Sequence, residues 1–128
     1  RGASQVNIWC WPVGSGELEN VRTNQLLPAA ERAAAVPRIR ADKPVGEWNT
    51  FRITLKGDRV SVVLNGHKVI DNARLTGGKA TTLPARGPIG FQYHVGRNAE
   101  YGASSLVQFR NVYIKRLDKA GAPSTGRN

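Results

Sequence analysis

The clearest hydrophobic pattern in the chain lies in residues 47–71, which read EWNTFRITLKGDRVSVVLNGHKVID. Apolar and polar residues alternate along residues 51–56 and again along residues 59–64, which is the period of a strand with one buried face. Gly57-Asp58 and Asn65-Gly66 separate the runs, and both dipeptides are typical of two-residue hairpin turns. The pattern therefore predicts three antiparallel strands joined in sequence.

The two turns also predict the register of these strands. With the first turn as the loop, Leu55 faces Val60, and the same count from the second turn places Val62 opposite Val69. Both turns put the apolar residues on one face of the sheet, whereas a shift by one residue would scatter them. We therefore expect one core to receive the following residues: Phe51, Ile53, Leu55, Val60, Val62, Leu64 and Val69.

Three further stretches predict strands, namely residues 4–11, 89–95 and 106–117. In the last of them the apolar phase changes near Arg110-Asn111, which predicts a β-bulge. Together with the two hairpins they amount to about six strands with short turns, the composition of an antiparallel β-sandwich or jelly roll. The fold class expected from the sequence is therefore all-β.

The other segments add little regular structure. Pro28 and Pro37 bound the Ala-rich residues 29–35, so at most two turns of helix are expected there. Residues 118–128 are polar and contain Gly and Pro, which predicts a disordered tail.

Length and charge limit the classes of function. The 128 residues fit one domain, and no apolar run approaches the roughly 18 residues of a membrane-spanning helix. The net charge of +10 raises nucleic acid as a partner, but the 19 basic residues are spread along the chain without a recognisable nucleic-acid-binding motif. Composition therefore argues against nucleic acid and against a membrane as partners.

The predicted strand 4–11 carries an unusual polar face. Asn7, Trp9 and Trp11 share that face, and indole rings beside amides are typical of a sugar-binding surface, where the ring stacks on a pyranose and the amide pairs with hydroxyls. The alternative is that the two tryptophans pack beneath a loop or against another sheet. The sequence leaves both interpretations open.

Four stretches together resemble a known family. They are RGASQVNIW at the start, GEWNTFRITLKGDRVSVVLNG at 46–66, ARGPIGFQYH at 85–94 and VQFRNVYIKRL at 107–117. In this order and spacing they resemble the 3-keto-disaccharide hydrolase family, which has a concanavalin A-like jelly-roll fold. Members carry further strands before the position that matches Arg1. The resemblance therefore implies that residues 1–117 form the C-terminal part of a single jelly-roll domain that lacks its N-terminal strands.

The resemblance implies action on glycosides that carry a ketone at the third carbon of the sugar. That ketone acidifies the proton on C2, so a base and a positive group for the enolate are required, but the paired carboxylates of ordinary glycosidases are not. His94 is the candidate base, Arg110 the candidate clamp for the enolate, and Gln92, on the face of His94, a candidate substrate-binding residue. The alternatives are a hydrogen-bonded surface histidine and an arginine paired with a structural carboxylate.

Cofactors, partners and location follow from the same reasoning. The sequence shows no metal-ligand spacing and requires no cofactor, although a divalent metal could stabilise the enolate. The resemblance implies a carbohydrate partner and a periplasmic or secreted location. Exposed sheet edges would be covered by an N-terminal segment, a second copy or another chain. Whether the domain is an enzyme or a non-catalytic carbohydrate-binding or structural module stays open.

Overall fold

The computed structural model describes residues 5–8, 12–76, 86–92 and 107–117. The chain divides into two compact units, Arg1–Arg86 and Gly87–Asn128. Within the described residues the regular elements all belong to the first unit: α1 Glu19–Arg22, α2 Ala29–Ala34, β1 Phe51–Lys56, β2 Arg59–Leu64 and β3 His67–Arg74. The three strands form one antiparallel sheet in the order β1-β2-β3, which agrees with the expected all-β class.

The hairpin of β1 and β2 has the predicted register. Pairing runs from Lys56 opposite Arg59 to Phe51 opposite Leu64, with Leu55 facing Val60. Gly57 has a φ of +62°, as the first position of a type II′ turn requires. The sequence prediction for this hairpin is confirmed.

The hairpin of β2 and β3 departs from its predicted register after two residue pairs. Asn65 and Gly66 both have positive φ, 50° and 86°, as a type I′ turn requires. The register then shifts so that Val62 faces Ile70, and the predicted pairing of Val62 with Val69 is wrong.

The register shifts twice, between Val62 and Val63 and between Val60 and Val62. At each shift β3 carries one residue more than β2, as in a β-bulge. With these shifts, Val69 and Ile70 are both completely buried.

Asn65 also ties the hairpin turn to the chain that precedes the sheet. Its Oδ1 accepts a hydrogen bond from the Thr50 N–H at 2.9 Å. Its Nδ2 donates to the Ala41 carbonyl and to Asn49 Oδ1, each at 2.7 Å. One side chain therefore satisfies three polar groups and fixes where residues 41–50 lead into β1.

The core lies on one face of β2 and β3. α2 packs against β3 and α1 packs against α2. Ile53 and Leu55, which we expected in the core, are 51% and 48% exposed. The reason is that α2 packs against β3, whereas β1 lies at the other end of the strand order. The buried apolar residues are Leu18, Val21, Leu27, Ala35, Val60, Val62, Leu64, Val69, Ile70 and Ala73.

The predicted helix is confirmed as α2, which follows directly after Pro28. Sequence analysis missed α1, whose four residues bury only Val21. A helix of one turn has too few positions to show a hydrophobic period, so only the tertiary contacts reveal it.

Three predicted strands are not formed in the described part of the chain. Residues 5–8, 89–92 and 107–117, which fall in those stretches, lie outside strands. Alternation predicts which face of a strand is apolar, but a strand also needs a neighbouring backbone for its N–H and C=O groups. Asn111 has a φ of 52°, so the backbone is irregular at the predicted break, although not within a strand. Residues 9–11, 93–95 and 118–128 of the predicted strands and tail lie outside the described residues.

Within the part of the chain that the structure covers, no helix has the length and apolar character needed to cross a membrane.

Candidate functional site

Two backbone hydrogen bonds in the first unit bring Asn7 next to Gly16 and Glu17. The Asn7 N–H donates to the Glu17 carbonyl at 2.9 Å, and the Gly16 N–H donates to the Asn7 carbonyl at 2.8 Å. Gly16 has a φ of +107°. Two residues lie opposite one, and the first of the two is a glycine of positive φ. This is the hydrogen-bond pattern of a G1 bulge, formed here between two segments that are not strands, and we call it the bulge. The bulge places the backbones of two polar residues, Asn7 and Glu17, next to each other.

Both polar side chains at this bulge are buried, Asn7 with 8% and Glu17 with 1% of its surface exposed. Gln5 Nε2 donates to Asn7 Oδ1 at 2.7 Å. Arg22 Nε donates to Glu17 Oε1 in a charged pair. Asn7 Nδ2 and Glu17 Oε2 are buried and have no hydrogen-bond partner in the structure as described.

Such unpaired groups are rare, because leaving a buried donor or acceptor unsatisfied costs about 1–3 kcal/mol. Among the described residues, the donor Asn7 Nδ2 and the acceptor Glu17 Oε2 each lack a hydrogen-bond partner. We therefore regard Asn7 and Glu17, with their partners Gln5 and Arg22, as the candidate binding site of the first unit. We call these four residues the buried polar cluster.

The chain on either side of Glu17 is firmly held. The Ser15 N–H donates to Asp42 Oδ2 at 3.0 Å. The Leu18 N–H donates to the Ala35 carbonyl at 3.0 Å, which links this segment to the end of α2. The backbone of Glu17 is thus held by hydrogen bonds of the residues around it, and its carboxylate is held by Arg22.

The described part of the second unit contains two of the predicted site residues, Gln92 and Arg110. The rings of Phe91 and Phe109 contact each other, with centroids 4.4 Å apart and planes inclined at 36°. Gln92 and Arg110 each directly follow one of these rings, and both are exposed. The ring contact therefore holds together the two segments that carry these candidates.

The remaining predicted site residues, His94, Trp9 and Trp11, lie outside the described residues, so their roles stay predictions. Of the substrate-binding candidates, Asn7 is the one found buried beside other polar groups. Sequence analysis missed Glu17. A signal was present, since Glu17 is one of only 9 acidic residues and lies between Gly16 and the apolar Leu18, but alternation does not predict burial of a carboxylate.

No metal centre is found among residues 5–8, 12–76, 86–92 and 107–117, where no group of three or more His, Cys, Asp or Glu side chains could hold an ion.

Within the described residues the first unit therefore combines a three-stranded antiparallel sheet with a buried polar cluster. The comparison with protein families matches residues 4–115 to the 3-keto-alpha-glucoside-1,2-lyase-like domain. This match covers most of the chain, so the chain belongs to that family, and the resemblance seen in the sequence is confirmed. The family name indicates a carbohydrate-active domain. The searches of curated proteins and of solved structures found no match.

Proposed function

We propose that this domain cleaves 3-keto-glycosides by elimination. The observation that carries the proposal is the family match over residues 4–115. A base removes the C2 proton, and its electron pair forms the enolate with the C3 carbonyl. The bond between C1 and the glycosidic oxygen then breaks as C1=C2 forms and the C3 ketone returns. The departing oxygen takes a proton, and water can later add to the unsaturated 3-keto sugar.

Each predicted site residue has a place in this reaction. His94 is the base, because histidine is the side chain whose charge changes near neutral pH. Arg110 stabilises the enolate oxygen. The hydroxyls and ring faces of the sugar are bound by Asn7, Gln92, Trp9 and Trp11. With these residues the proposed elimination needs no cofactor. A divalent metal, if one is bound, would stabilise the enolate oxygen together with Arg110.

The proposed activity is tested with the intact protein and a 3-keto-disaccharide. We expect release of the free aglycone sugar together with an enone, which is detected by its ultraviolet absorbance and by mass spectrometry. The same disaccharide without the ketone serves as the control and is expected to be stable, because its C2 proton is not acidic. Binding of the 3-keto-disaccharide without cleavage would contradict the enzymatic proposal and favour a carbohydrate-binding module. A parallel assay after chelation shows whether a metal contributes.

We also propose a periplasmic or secreted location, where a domain acting on external glycosides meets its substrate. Fractionation of the producing cells tests this part of the proposal separately from activity.

Among the described residues no strand pairs with the outer edge of β1, which supports a protein partner as well. β1 lies at one end of the strand order, and its Ile53 and Leu55 side chains are about half exposed. Backbone groups on the outer side of an edge strand readily pair with another strand. An N-terminal segment, another chain or a second copy could supply that strand, and we propose a second copy because this chain can provide it alone.

Light scattering on the 128-residue chain is expected to give about twice its 13.9 kDa in native buffer. Ile53→Lys is expected to shift the protein toward the monomer, because a charge on the half-exposed apolar face opposes strand pairing. Val45→Lys is the matched control, since Val45 is a fully exposed apolar residue outside the sheet. A folded monomer for the unmodified chain at all concentrations would show that no second copy pairs with it.

A further inference from the structure

The buried polar cluster offers two unused hydrogen-bonding atoms of opposite kind. Asn7 Oδ1 is occupied by Gln5 and Glu17 Oε1 by Arg22. What remains is one donor, Asn7 Nδ2, and one acceptor, Glu17 Oε2, both buried and unpaired in the described structure. A group that accepts a hydrogen bond and donates one at the same time satisfies both, and a hydroxyl is such a group.

We propose that Asn7 and Glu17 form a subsite for one hydroxyl group of the bound sugar. The hydroxyl oxygen accepts from Asn7 Nδ2 and its hydrogen is donated to Glu17 Oε2. The inference rests on the proposed function, since it assigns to Glu17 a role in binding the same class of substrate.

The charges in the cluster favour a neutral ligand group. An anion next to Glu17 would be repelled by its carboxylate, and a cation would meet the Arg22 guanidinium that already pairs with this carboxylate. A hydroxyl carries no net charge and avoids both penalties. The charge pattern therefore selects a polyol such as a sugar over a phosphate or an amine.

The backbone of the cluster is preorganised, and one of its members, Arg22, is partly exposed. Backbone hydrogen bonds fix Asn7 opposite Gly16 and Glu17, so little ordering is needed when a ligand binds. The Arg22 side chain is 41% exposed, whereas that of Glu17 is 1% exposed. Arg22 is thus the exposed member of the pair, and the proposed binding requires its long side chain to move so that a hydroxyl can reach Glu17 Oε2.

The test is calorimetric titration with methyl α-D-glucopyranoside and its four monodeoxy analogues, which are stable against elimination. Glu17→Gln preserves the shape of the side chain and removes the charged acceptor. We expect it to weaken binding of the parent glucoside by roughly 10- to 100-fold, the range for hydrogen bonds to charged groups. For the one deoxy analogue that lacks the bound hydroxyl, wild type and variant are expected to bind equally.

Two further variants complete the experiment. Asn7→Ala removes the donor but keeps the backbone hydrogen bonds of the bulge, and it should show the same selective loss. Glu47→Gln is the control, because Glu47 is an exposed carboxylate in the segment before β1 and has no part in the cluster. It is expected to leave the affinity for every glucoside unchanged.

The outcomes separate this inference from the proposed function. If the wild type binds the glucosides but both cluster variants bind them equally well, the subsite is wrong and the proposed function stands. A uniform loss for all analogues, or lower stability with unchanged affinity, would mean that the cluster holds a structural water. If Glu17→Gln does not fold, Asn7→Ala decides. Failure of the wild type to bind any glucoside would overturn the subsite, and absence of cleavage as well would overturn the proposed function.

Discussion

Replacing His94 by alanine is expected to lower kcat for cleavage of a 3-keto-disaccharide by about 10²- to 10⁴-fold, the usual contribution of a positioned general base. The physical reason is that elimination begins with loss of the C2 proton, and no bond to the leaving group breaks until that proton is taken. KM is expected to change little, because the base acts on the proton and not on the ground-state contacts of the sugar. Steady-state kinetics of the variant measure both constants.

The matched control is His67→Ala, because the chain has 2 histidines and His67 is exposed at the start of β3. That variant should keep full activity. Added imidazole is expected to restore part of the activity of His94→Ala, since a small base can take over proton removal. Equal rates for His94→Ala and the wild type would remove His94 from the mechanism.

Replacing Gly16 by alanine is expected to lower the free energy of unfolding by about 2 to 5 kcal/mol. Two effects combine. The φ of +107° is a conformation that residues with a Cβ rarely adopt, and the added Cβ would lie 2.9 Å from Val69 Cγ2. Val69 is completely buried, so it cannot move aside without disturbing the core. Urea denaturation of both proteins measures the difference.

Gly46→Ala separates the two effects, because Gly46 has a φ of +97° and no atom within 4 Å of the position of the added Cβ. Gly46→Ala should lower the free energy of unfolding only by the cost of the backbone conformation, about 1–2 kcal/mol. An equally small loss for Gly16→Ala would show that Val69 does not crowd this position. Since Gly16 forms the bulge opposite Asn7, a folded Gly16→Ala protein should also bind sugar more weakly.

Much of the secondary structure of the first unit could be predicted because it depends on residues that are close together in the sequence. The type of a two-residue turn depends on which residues tolerate positive φ, so Gly57, Asn65 and Gly66 determine both hairpin turns. The turn then fixes the pairs closest to it, and the alternation of β1 and β2 carries the register to the end of the hairpin. The short helix α2 followed in the same way from the prolines around it. The candidate site was less predictable. Asn7 was proposed as a binding residue from the polar face that it shares with Trp9 and Trp11, but the alternation of polar and apolar residues did not point to Glu17.

The sequence by itself determined the hairpin turns, the register of β1 with β2, the position of α2 and, through four motifs, the family. Tertiary structure alone decided that Val62 pairs with Ile70, that β1 is a half-exposed edge strand and that Glu17 is buried beside Asn7. The reason is the range of the interactions. Turn geometry and alternation act between neighbours in sequence, whereas burial depends on which distant segment packs against a face. Glu17 is buried in a segment whose backbone is hydrogen-bonded to Asn7 and, through Leu18, to the end of α2, and neither contact is visible along the chain.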